Sequence, residues 1–166
     1  MARSPQIKTN AMRALAARQF PYDIFVYPST VHSAEEVATL LGVPADAVFK
    51  TLVMFADGGR QLLVMVPGDG EVDLRLLARS LGVKAVHMAP QREAERLTGL
   101  LVGGISPLAL LGRPFEVYLD QRATQREWLY VNGGQRGVNL RLQVANLLAV
   151  TGAQLVAATQ LPSDEG

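Results

Sequence analysis

Phe49-Lys50-Thr51-Leu52-Val53-Met54-Phe55-Ala56-Asp57-Gly58-Gly59-Arg60-Gln61-Leu62-Leu63-Val64-Met65-Val66 contains two apolar runs separated by one aspartate and two glycines. Strand-forming residues on both sides of Asp-Gly-Gly make a β-hairpin pattern, because glycine supplies the positive φ that a tight reversal needs. The spacing predicts strands over Phe49 to Ala56 and Arg60 to Val66. Immediately upstream, Ser33 and Glu36 form a capping box. Val37, Leu40 and Leu41 supply the apolar stripe of a helix that Gly42 and Pro44 end.

The same reading extends in both directions. Met12, Leu15, Ala16 and Gln19 recur at helical spacing near the start. Tyr22 to Tyr27 reads as a strand, with Ile24 and Val26 on one face and Phe25 and Tyr27 on the other. Asp73 caps a helix carrying Leu74, Leu77, Ala78 and Leu81, closed by Gly82, and a short strand follows over Ala85 to Met88. Arg92 to Leu97 is a brief polar helix. Further strands are predicted over Phe115 to Leu119, Trp128 to Val131 and Val138 to Leu140, the last two joined through Asn132-Gly133. A helix over Gln143 to Val150 and a strand over Gln154 to Val156 complete the series. Hairpins mixed with strand–helix connections indicate an α/β protein, a single domain over residues 1–160 with a mixed, strongly twisted central sheet flanked by helices. Residues 161–166 read as a frayed tail.

Composition narrows the function. The chain has 166 residues, 49% hydrophobic and 19% charged, enough apolar material for a sizeable core. Sixteen basic and fifteen acidic side chains leave a formal charge of +1, which argues against a broad polyanion-binding surface, so any nucleic-acid contact is expected to be local. Without cysteine there is no disulfide, thiolate nucleophile or cysteine-based metal site, and His32 and His87 are too far apart for a local metal motif. No metal and no cofactor are expected. No segment reaches the ~18 apolar residues of a membrane span and no signal pattern precedes Tyr22, so a cytoplasmic protein is expected. The Walker loop, the dinucleotide glycine fingerprint, the EF-hand and the histidine-pair protease motif are all missing. Gly104-Ile105-Ser106-Pro107-Leu108 lacks the second glycine of a nucleophile elbow, which argues against Ser106 as a nucleophile.

Three segments stand out chemically. Leu101-Val102-Gly103-Gly104-Ile105-Ser106-Pro107-Leu108 interrupts an apolar run with paired glycines and a proline. It is either a tight turn or a loop whose main-chain N–H groups a ligand can approach. Strand alternation puts Lys50 on a face with Leu52 and Met54, where a lysine must reach water, lose its proton or meet an anion. Asn132-Gly133-Gly134-Gln135-Arg136-Gly137 is either a plain hairpin or a cluster of main-chain donors with one guanidinium suited to phosphate or carboxylate. Tyr27, beside Pro28, is either core or a stacking surface.

Taken in order, Val48-Phe49-Lys50-Thr51-Leu52, the Gly-Gly-Ile-Ser-Pro loop and Tyr130-Val131-Asn132-Gly133-Gly134-Gln135-Arg136-Gly137 resemble the YbaK-type Cys-tRNA(Pro) deacylases over nearly the whole chain. These are bacterial editing domains related to the insertion domain of prolyl-tRNA synthetase. The resemblance implies a pocket for the 3′-terminal aminoacyl-adenosine of tRNA and editing in trans, with hydrolysis of a mischarged aminoacyl ester, Cys-tRNA(Pro) foremost, by a substrate-assisted mechanism without metal. Lys50 and Gly103 would be its catalytic groups. Tyr27, Thr51, Gly104, Ile105, Ser106, Pro107, Asn132, Gly133, Gly134, Arg136 and Asn139 would contact substrate, with the main-chain N–H groups of Gly103 and Gly104 facing the ester. It also implies tRNA(Pro) as the tRNA, a transient complex with prolyl-tRNA synthetase, and neither membrane nor DNA as partner. Two departures bear on specificity: Cys-specific members commonly carry serine where this chain has Asn132 and aspartate where it has Asn139. An Ala-tRNA(Pro) or Ser/Thr-tRNA deacylase, or a non-catalytic aminoacyl-tRNA-binding module, are the alternatives.

Overall fold

In the computed structural model, residues 7–31 and 33–160 are described; His32 and the segment 161–166 expected to fray lie outside them. The Thr9 hydroxyl accepts from the Met12 N–H and starts α1 (Asn10–Ala17). The helix stops short of Gln19, which takes a left-handed φ of 61° while Arg18 and Gln19 donate back to Leu15 and Ala16. β1 (Asp23–Val26) follows, then α2 (Ala34–Leu41), whose Ser33 cap accepts from Glu36 N–H while its hydroxyl donates to the Glu36 carboxylate.

β2 (Phe49–Ala56) and β3 (Arg60–Pro67) form the expected antiparallel hairpin, with Ala56 opposite Arg60. α3 (Leu74–Leu81) starts where the Asp73 carboxylate accepts from Leu76 N–H, and leads to β4 (Val86–Met88) beside β2. α4 (Gln91–Thr98), the Gly103 loop and β5 (Glu116–Asp120) come next. β6 (Trp128–Asn132), β7 (Val138–Gln143), α5 (Val144–Thr151) and β8 (Gln154–Val156) complete the chain.

The mixed sheet flanked by helices is present, and its strand order is β4-β2-β3-β5-β8, with the β3–β5 and β5–β8 pairs parallel. The remaining strands form a separate antiparallel sheet, β1-β7-β6, which the linear pattern of strands does not distinguish from the first. The sheets meet where Val48 bridges to Tyr130, so the start of β2 lies against β6. Leu129, Leu140, Leu142 and Leu147 pack with Leu15, Met65, Leu108 and Leu119 in the largest core cluster, which joins the two sheets. Removing one of these leucines would cost about 2–5 kcal/mol through lost burial and the cavity left behind. A second cluster lies under α3 and includes Met54, Leu62, Val64 and Leu77. Among the described residues, no helix is long and apolar enough to cross a membrane.

Candidate active site

A cleft of about 470 Å³ opens where the two sheets meet. Phe49 is sunk in the core and anchors the start of β2, while Lys50 and Thr51 beside it line the cleft. Of the three fates open to Lys50, the fold selects access to the cleft: Met54 and Ala56 run on beneath α3, but Lys50 lies at the open end of the strand. Among the described residues, no carboxylate lies within ion-pair distance of it.

The first turn of α2 forms a second wall through Ser33, Ala34 and Glu35. Gly68 makes this approach possible. Its N–H donates to Val48 C=O at 2.7 Å, and a Cβ there would lie 2.8 Å from Ala34 Cβ and 3.0 Å from two main-chain oxygens. Any side chain at this position would push the helix away from the sheet.

Tyr27 and Asn139 form the third wall. Asn139 pairs with Phe25 on one side and Asn132 on the other, and cross-strand partners share a face, so the register brings both asparagines to the same side of the small sheet. Asn139 is 3% exposed; its Nδ2 donates a long, 3.4 Å bond to the Tyr27 hydroxyl, and its buried Oδ1 has no partner among the described residues. A buried acceptor left unbonded costs about 1–3 kcal/mol, a loss that a ligand donor would remove. Burial raises the Tyr27 phenol above its usual pKa of 10.0, against the weaker opposing pull of the Asn139 bond. Tyr27 therefore presents a neutral hydroxyl to the cleft.

Asn132 fastens the glycine loop to this wall. Its Nδ2 donates to Gly103 C=O at 2.6 Å and to Gln135 C=O at 3.3 Å, while its Oδ1 accepts from Gly134 N–H at 2.7 Å. The result is a five-residue connection, 133–137, between β6 and β7, with Asn132 itself paired in the sheet. Gly103 adopts φ 91° and lines the cleft, and its N–H has no acceptor among the described residues.

Ile105 also lines the cleft, but the expected contact set is otherwise too wide. The Gly104 N–H is not available to an ester, because it donates to Leu101 C=O at 2.7 Å. Gly104 serves close packing instead: a Cβ there would lie 2.9 Å from Arg136 N. Ser106 is fully buried and caps the short 3-10 turn that Pro107 begins, accepting from Leu108 N–H. Gly133 packs against Val138, Gly134 against Ala109, and Arg136 Nε donates to Val102 C=O at 2.7 Å. Gly104, Ser106, Pro107, Gly133, Gly134 and Arg136 thus hold the loop in place without lining the cleft. Conversely, Ser33, Ala34, Glu35, Gly68 and Val102 line it and were missed. The capping box announced the start of α2, but nothing in the local pattern aimed that start at β2.

Among the described residues, one unpaired lysine, one neutral phenol, one orphaned acceptor and one free N–H converge on a cleft whose chemistry suits a polar ligand. The chain belongs to the aminoacyl-tRNA editing domain family, whose model matches residues 28–150, and is by class an aminoacyl-tRNA deacylase. It is 35% identical over 156 residues to the proposed Cys-tRNA(Pro)/Cys-tRNA(Cys) deacylase EbsC of Enterococcus faecalis, covering 93% of this chain and 94% of that one. A proline–tRNA ligase of Nitratidesulfovibrio vulgaris is 40% identical over 81 residues, which span 49% of this chain and 14% of the ligase. The crystal structure of a proposed trans-editing enzyme for prolyl tRNA synthetase superposes with TM-score 0.80 at 28% identity, covering 94% of this chain and 100% of that one.

Proposed function

We propose that the protein edits in trans, hydrolysing the ester of mischarged tRNA(Pro), with Cys-tRNA(Pro) as the preferred substrate. The supporting observation is the convergence of Lys50, Gly103, Tyr27 and Asn139 on one cleft, whose lining among the described residues includes neither histidine nor cysteine. Lys50 takes the phosphate or ribose end of the terminal nucleotide as a point charge. The free Gly103 N–H faces the ester oxygen as negative charge develops, a contact of a kind worth roughly 10²–10³-fold in rate. Asn139 Oδ1 accepts from the substrate's α-ammonium group, and the neutral Tyr27 hydroxyl fixes its orientation.

The cysteine thiol attacks its own ester carbonyl. A carbon–sulfur bond forms, the carbon–ribose oxygen bond breaks, the thiol proton passes to the ribose oxygen, and water then opens the acyl–sulfur ring. Orientation of an intramolecular attack supplies roughly 7–11 kcal/mol in favourable cases. Editing is needed because a synthetase pocket discriminates poorly between amino acids of similar size.

The test is hydrolysis of Cys-, Ala- and Pro-tRNA(Pro) by the purified protein and by Lys50→Ala, with and without prolyl-tRNA synthetase. Selective loss of the cysteine ester supports the reading. Preference for the alanine ester replaces the specificity, and binding without turnover replaces the enzyme with a binding module.

A further inference from the structure

The face of the small sheet that carries Asn132 and Asn139 continues past the cleft. One row along the strands, Tyr130 stands beside Arg141; a further row along is Trp128, opposite Gln143. Cross-strand pairing puts all of these on the side opposite the Leu129, Leu140 and Leu142 core. Phe25 and Tyr130 make a tilted ring contact at 5.5 Å, and the Arg141 guanidinium lies over the Trp128 ring at 5.3 Å. Trp128 nevertheless keeps 38% of its surface exposed. Arg141 is tied at 2.6 Å to Asp23 on the neighbouring strand, which fixes the guanidinium and offsets its charge.

We infer that this row of side chains is the track for the single-stranded 3′ end of tRNA, the two nucleotides before the terminal adenosine running from the cleft across Tyr130 and Arg141 to Trp128. The inference rests on the terminal aminoacyl-adenosine occupying the cleft, as proposed above. Successive rows on a strand face are about 6.8 Å apart, a step of the same order as one extended nucleotide. Two rows therefore match two nucleotides. Aromatic faces and a guanidinium plane are the usual platform for unpaired bases, tolerant of sequence because every base has a π-face. Stacking is also what the charge allows: a chain of net charge +1, with Arg141 already paired to a carboxylate, has little to hold phosphates over a distance.

Trp128 is the single tryptophan of the chain, so its fluorescence reports on this surface alone. The experiment titrates the protein with the trinucleotide CCA and with adenosine, then compares Trp128→Ala and Trp128→Phe on charged tRNA and on the aminoacyl ester of adenosine. The expected result is saturable quenching by CCA but not by adenosine. Trp128→Ala should raise KM for charged tRNA roughly 5- to 10-fold, as for loss of one stacked base, with kcat within about twofold. Trp128→Phe should restore KM, and the adenosine ester should be turned over unchanged. Absent quenching with an unchanged KM overturns the track. So does a defect of Trp128→Ala that appears only when synthetase is added, which would make this face a protein contact. If the wild-type protein hydrolyses neither ester, the proposed function fails, and the CCA titration still decides the track.

Discussion

Lys50, Tyr27 and Asn139 show how much of this site depends on single polar groups. Lys50 borders the cleft with no carboxylate among the described residues within ion-pair distance, so Lys50→Ala should lower kcat/KM for the mischarged ester by about 100-fold without shifting the melting temperature, because it removes a ligand contact and no packing. For Tyr27 the sign follows from burial. A phenol whose pKa is raised in the folded state contributes stability that is fully present below the unfolded value of about 10 and is lost as pH rises through the higher folded value. Tyr27→Phe should therefore flatten the decline in stability above pH ~10 in denaturant titrations and leave the neutral range unchanged. An equal decline in both proteins would show that the phenol is not buried in solution.

At the level of elements, the cleft depends on connections that are not part of it. Asp120, at the end of β5, is fully buried; its carboxylate accepts from the N–H groups of Arg122, Ala158 and Thr159 and from the Thr159 hydroxyl. Asp120→Ala strands these donors and should cost about 2–4 kcal/mol in urea unfolding while leaving kcat of the folded fraction intact. Gly68→Ala should act differently. Its new methyl group meets Ala34 and two main-chain oxygens, so α2 must shift away from β2. The expected outcome is a KM raised about tenfold or more, measured alongside thermal unfolding, since a displaced wall misplaces the substrate.

For the molecule as a whole, near-neutral charge limits how it finds tRNA. A protein with formal charge +1 neutralises few phosphates, so log(kcat/KM) for charged tRNA should fall only gently with log salt, with a slope no steeper than about −2 to −3. Addition of prolyl-tRNA synthetase should raise kcat/KM at low enzyme concentration if proximity brings the two together. A steep salt slope would point to a basic surface that the charge count does not reveal.

Local patterns in the sequence carry a good deal of this. Asp57-Gly58-Gly59, the Ser33 and Asp73 caps and the alternating apolar runs determined the helices, the strands and the β2–β3 hairpin, because caps, turns and periodicity act between residues a few positions apart. The order of Lys50, the Gly-Gly-Ile-Ser-Pro loop and the Asn132 segment determined the family. What only the tertiary structure decided was the division into two sheets, the arrival of α2 at the cleft through Gly68, and the sorting of the glycine-loop residues into those that line the cleft and those that hold it. These depend on contacts such as Asn132 to Gly103 and Gly68 to Ala34, between residues about 30 positions apart, and no local pattern records which distant segment will come to rest beside which.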